Sequence, residues 1–223
     1  MTTISPARPS RESIRHLHFI DGDESQIRPL DANAVSYFEV FGLEPRLTLD
    51  LDEVREAFLD LSRRFHPDYF ATEEDESLRE ESLRRSSLVN NAWKTLRDPQ
   101  KRAEYLISLH GKGIESNKNA VPSELLEEMF EIQEAGEELR EARLAADEEA
   151  LEAAEAKVRP LREQVKESRA HLLKELEDQF ARFDQKIGEG APFDSEDVQK
   201  QLQQIRLTLD QMNYLRTVLR NLK

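Results

Sequence analysis

Apolar residues in this chain recur at steps of three and four, and no stretch alternates polar with apolar residues long enough for a sheet strand. The pattern predicts an all-α protein. It is most regular in the second half, where three stretches carry heptads. The first uses Leu125, Met129, Ile132, Gly136 and Leu139; the second Leu151, Ala154, Val158, Leu161, Val165, Ser168 and Leu172; the third Val198, Leu202, Ile205, Leu209 and Met212. Each set forms one seam, which suits a three-helix bundle packed at shallow angles. Pro160 inside the second stretch predicts either a kink or a break. In the first half the helices are shorter. A short apolar one over 34–41 is closed by Gly42 and Pro45. Asp50, with Glu53 three residues on, reads as the N-cap and N3 acid of a helix running to about Arg64. Its apolar face is Val54, Ala57, Phe58, Leu61 and Phe65, and Arg55, Arg63 and Arg64 lie off that face. Pro67 disfavours helix at His66 and so ends it. A third helix is expected over 76–97, burying Leu78, Val89, Ala92, Trp93 and Leu96, and Asp98-Pro99 opens a short fourth ending near His110.

Glycines at 111, 113, 188 and 190 punctuate these segments. The expected organisation is a flexible N-terminal extension over 1–33, an N-terminal domain of a helical hairpin with short flanking helices over 34–111, a linker over 112–122, and the helical bundle over 123–223. Hydrophobic residues make up 38% of the chain and charged ones 35%, and no run approaches the ~18–20 apolar residues of a bilayer span. The N-terminus has no signal-type apolar stretch, and Glu12, Asp21, Asp23 and Glu24 argue against an import segment, so a cytoplasmic protein without membrane contact is expected. The absence of cysteine removes disulfides, thiolate metal sites and cysteine nucleophiles. Net charge is −14, which disfavours nucleic acid as a partner. The excess acidity is local: residues 123–155 hold thirteen carboxylates against Arg140 and Arg143, while basic residues gather around Arg55, Arg63 and Arg64 and from Arg79 to Arg102.

The turn His66-Pro67-Asp68 presents an imidazole and a carboxylate on a backbone that proline stiffens, directly after a helix with arginines on its exposed side. In that helical context it resembles the J-domain, the module by which co-chaperones engage chaperone ATPases. The run Val89-Asn90-Asn91-Ala92-Trp93-Lys94-Thr95-Leu96-Arg97-Asp98-Pro99, then Arg102-Ala103-Glu104-Tyr105-Leu106 and Ser108-Leu109-His110-Gly111, is similar to the HscB family of iron-sulfur-cluster co-chaperones. The resemblance extends over about 34–223. It implies that His66, Pro67 and Asp68, with Arg55, Arg63 and Arg64, dock on an HscA-type chaperone ATPase and promote its ATP hydrolysis. Tyr69 departs from the family, which usually has Lys or Arg after the aspartate.

In the first bundle helix Leu126 and Phe130, four residues apart, lie off the heptad seam and are accompanied by Glu127, Glu131, Glu134 and Glu138. Such a set reads either as a wider buried stripe with a solvated acidic face or as a partner site with an apolar centre and a charged rim. The family resemblance implies the second: contact with an IscU-type cluster scaffold through Leu126, Phe130, Glu131, Glu134 and Glu138, with Tyr214 of the last helix as an aromatic contact. Glu127 stands where an apolar residue is usual. The function implied is delivery of that scaffold to the chaperone during iron-sulfur cluster biogenesis, by a protein without catalytic residues, metal or cofactor of its own. The alternatives are a general J-domain co-chaperone for unfolded clients and a non-catalytic helical adaptor. An enzyme built on His66 and Asp68 lacks a neighbouring nucleophile, metal-ligand cluster or phosphate-cradling loop. His16 and His18 read as a chance pair.

Overall fold

The computed structural model describes residues 35–70 and 76–223. The extension expected over 1–33, with His16 and His18, lies outside the described residues, as does the side chain of Tyr69. All regular structure among the described residues is helical: α1 Tyr37–Val40, α2 Leu51–Arg64, α3 Glu76–Leu96, α4 Pro99–His110, α5 Met129–Ala145, α6 Glu148–Gly188 and α7 Glu196–Asn221, with 3-10 turns at Pro67–Phe70 and Ser123–Leu125. The chain divides into two compact units, Met1–Leu106 and Ile107–Lys223, so the division falls inside α4.

In the first unit local chemistry sets the helix ends. Ser36 and Glu39 form a reciprocal capping box on α1, which is shorter than the 34–41 helix expected because the box starts it late and Gly42 turns the chain at φ 67°. The Asp50 carboxylate accepts from the Asp52 and Glu53 amides at 3.0 and 3.3 Å and opens α2. Asp98 does the same for α4, accepting from the Gln100 and Lys101 amides. Phe38, Val40, Phe41, Leu47, Val54, Leu61, Val89, Ala92, Leu96, Ala103 and Leu106 fill the core. Each large side chain taken fully from water stabilises this unit by roughly 1.5–3 kcal/mol. Leu78 and Trp93, expected inside, are only partly covered; Trp93 instead stacks on Phe58 at 5.1 Å. A second departure concerns charge. Arg85 and Arg102, two of the basic residues between 79 and 102, are buried, and Arg102 donates to the carbonyls of Leu47 and Leu96. Arg102 thus ties backbone together, while Arg85 is paired with the Glu81 carboxylate, so neither guanidinium belongs to the exposed basic surface.

The second unit is the bundle, in which α6 packs against both α5 and α7. The seam is buried in all three helices, with only Gly136, Leu151 and Ser168 partly exposed. The 41-residue α6 runs unbroken through Pro160, so no break occurs. Pro160 is exposed, and the apolar seam on either side of it at Val158 and Leu161 is buried and continuous. The expected first bundle helix has a different start: a 3-10 turn covers Ser123–Leu125 and the α-helix proper begins at Met129. Residues 112–122, expected as a linker, are anchored on α7. The Asp210 carboxylate, 3% exposed, accepts from the Ser116 hydroxyl at 2.8 Å, the Asn117 amide at 2.7 Å and both nitrogens offered by Arg206. Gln199 adds a second fastening, donating to the His110 and Phe193 carbonyls and accepting from the Lys112 amide.

Candidate functional site

The His66 turn is made by the end of α2 and held by α3. Phe65 caps α2, its amide donating to the Leu61 carbonyl at 3.0 Å, and its ring is buried. The Ser82 hydroxyl donates to the Phe65 carbonyl at 3.1 Å. Over the Phe65 ring, 5.2 Å from its centre, lies the Arg85 guanidinium, which is paired with Glu81 at 2.9 Å. The residue before His66 is thereby gripped by backbone, ring and cation together. Pro67 then starts the 3-10 turn with a fixed φ and no amide hydrogen to satisfy. His66 and Asp68 are exposed. The Asp68 amide donates to His66 Nδ1 at 3.3 Å, which places the proton of the neutral ring on Nε2. The Asp68 carboxylate lies 3.6 Å from the same nitrogen. The turn therefore offers a donor and a carboxylate on a rigid loop, a recognition chemistry that needs no reacting group.

Of the three arginines, Arg55 and Arg63 are exposed and share one side of α2, being eight residues apart. Arg64, about 100° further round, pairs with Asp60 at 3.0 Å. The structure does not gather the three into one patch. The sequence reading missed Ser82, Glu81 and Arg85, since polar residues inside a predicted core stripe carry no signal until the facing carbonyl and ring are known.

On the second unit Phe130 is 85% exposed and Leu126 56%, with Glu127, Glu131 and Glu134 exposed around them. Leu126 stands in the turn before α5 and Phe130 in its first turn, so they neighbour across the 3-10-to-α junction rather than along one helix. Glu138 is engaged: it accepts from Lys157 of α6 at 2.7 Å, which holds the Lys157 ammonium above its ordinary pKa. Tyr214 is half-buried against α5, its hydroxyl donating to Met129 Sδ at 3.4 Å, and burial pushes its pKa up against the opposing hydrogen bond with Gln133. Glu128, not singled out by pattern, is tied back to α6 by Gln164 at 3.1 Å, leaving the neighbouring apolar pair as the exposed feature.

Comparison with known proteins accords with this geometry. Residues 36–105 match the DnaJ domain family, a span that contains the His66 turn and the residues that grip it. The chaperone HscB from Vibrio cholerae is 30% identical over 82% of this chain and 97% of its own, with a TM-score of 0.48. The human co-chaperone HscB is 21% identical over 98% of this chain and 91% of its own, with a TM-score of 0.53, and shares the fold. On the sequence identity across nearly the whole Vibrio chaperone, and on the DnaJ domain that carries the His66 turn, the chain belongs to the HscB family of J-domain co-chaperones.

Proposed function

We propose that this protein activates ATP hydrolysis by an HscA-type chaperone, without being an enzyme itself, and delivers an IscU-type scaffold to that chaperone in the cytoplasm during iron-sulfur cluster biogenesis. The His66 turn with Arg55 and Arg63 is the docking surface for the ATPase. Leu126 and Phe130, rimmed by Glu131 and Glu134, take the scaffold. The observation that carries the second half is the exposure of Phe130. Leaving a phenylalanine ring in water forgoes roughly 1.5–3 kcal/mol of burial, and that is recovered when a partner covers it. Glu138 and Tyr214 support the same face from Lys157 and Met129, fixing its edges. The carboxylate rim selects a basic partner surface and rejects acidic ones.

The test is a steady-state ATPase assay with an HscA-type chaperone, run with and without an IscU-type scaffold. The parent should stimulate hydrolysis and the scaffold should raise that stimulation further. His66→Gln should abolish stimulation while leaving scaffold binding intact. Stimulation by an unfolded polypeptide but not by the scaffold would replace this reading with that of a general co-chaperone.

A further inference from the structure

The exposed side of α2 carries more than arginines. Leu51, Arg55, Leu59 and Arg63 follow one another at four-residue steps, which a helix of 3.6 residues per turn lays out as a slowly drifting line on one side. All four are exposed, and Leu51 and Leu59 each stand at 42%. Leu59 is no extension of the buried stripe: five residues separate it from buried Val54, a rotation of about 140°. The line runs along the helix that leads into the turn, and Arg63 at its end stands three residues before His66. The aliphatic stems of Arg55 and Arg63 are apolar as well, so the line is an apolar ridge with cationic tips.

We infer that Leu59, extended by Leu51, is an apolar specificity contact for the ATPase that docks at His66, fitting a partner surface with acidic groups for Arg55 and Arg63 and an apolar recess between them. This rests on the proposed docking of a chaperone ATPase at the His66 turn. Arginines alone are drawn to any acidic surface, and their attraction is screened by salt. An acidic surface without a recess would press its carboxylates against Leu59 and lose their hydration without return. Interleaving leucine with arginine thus separates the matching ATPase from other acidic proteins, and makes part of the affinity independent of salt.

The experiment titrates the full-length protein into an ATP-loaded HscA-type chaperone by calorimetry at about 0.05 and about 0.5 M salt. Leu59→Gln should weaken binding at least fivefold at both salt concentrations and make the heat-capacity change of binding less negative. Arg55→Ala with Arg63→Ala should weaken binding at low salt and lose that effect at high salt. Parental affinity in Leu59→Gln would overturn the inference, and so would a loss that disappears at high salt, because Leu59 would then only position the arginines. Thermal melts check the variant, and a benzophenone amino acid at position 59 gives an answer that does not depend on them. It should cross-link to the ATPase; cross-linking only to a second copy of this chain would overturn the inference. His66→Gln in the same series keeps the two readings apart. If it stimulates like the parent, ATPase docking at the turn fails; if it is inactive while Leu59→Gln matches the parent, only the role of Leu59 fails.

Discussion

Arg85 shows how a buried side chain supports the exposed turn beside it. It lies over Phe65, pairs with Glu81 and is almost wholly buried, so its charge is spent inside the unit that carries His66. Arg85→Ala would take from the buried Glu81 carboxylate its nearer cation, at 2.9 Å against 4.0 Å for Arg84, at a cost of about 3 kcal/mol. Urea unfolding should register that loss, whereas His66→Gln, at an exposed position, should leave the midpoint within roughly 0.5 kcal/mol of the parent. The pair of variants separates support from contact: one lowers stability and the other only stimulation. Arg63 and Arg64 also part company at this scale. Arg64→Ala removes an exposed ion pair with Asp60, worth at most ~1 kcal/mol, and should change ATPase binding less than Arg63→Ala, as titrations at low salt would record.

Among the elements, the α5–α6 hairpin turns at Ala146, whose φ of 52° is left-handed. Its amide donates to the Arg143 carbonyl and Asp147 caps the next helix, so the conformation is imposed on a residue that disfavours it. Ala146→Gly should raise stability by about 0.5–1 kcal/mol, the relief of the left-handed strain less the entropy of glycine; a lower melting temperature would contradict the strain. At the end of α4 the His110 ring stacks on Phe193 at 3.9 Å, and burial pushes its pKa below the ordinary histidine value. The unfolded chain therefore takes up a proton more readily than the folded one. The stability this contact contributes is complete above pH ~6.5 and is lost as pH falls through the lower folded value. Melting of the parent should drop as pH goes from about 7 to about 5, and His110→Asn should flatten that part of the profile. Periodicity made α2, α3 and α4 legible within a residue or two because caps and prolines are local in sequence. It misplaced the start of α5, where the heptad positions 125 and 129 are both buried and the break between the end of the 3-10 turn at Leu125 and the start of the α-helix at Met129 leaves no trace in the pattern.

For the molecule as a whole, the two surfaces belong to different compact units, and their chemistry can be lost separately. Leu126→Ala with Phe130→Ala removes side chains that are mostly in water, so the bundle should melt like the parent; core truncations would cost roughly 2–5 kcal/mol each. Scaffold binding, followed by calorimetry, should weaken at least tenfold, and scaffold-free stimulation of the ATPase should stay as it was. A folded double variant that binds scaffold at parental strength would falsify the site. The sequence by itself determined the helices, the heptad seams and the His66 turn, because each depends on residues within a turn or two of one another; it left Leu126 and Phe130 open between a buried stripe and a partner site, and the fold exposed them. Tertiary structure alone decided which charges face solvent. Asp210 accepts from Ser116 and Asn117 across separations of 94 and 93 residues, and Arg102 reaches Leu47 across 55. Whether a carboxylate or guanidinium is solvated or spent on a buried carbonyl depends on which backbone the fold brings opposite it. No periodicity along the chain encodes that partner, and burial of the pair is what makes it bind.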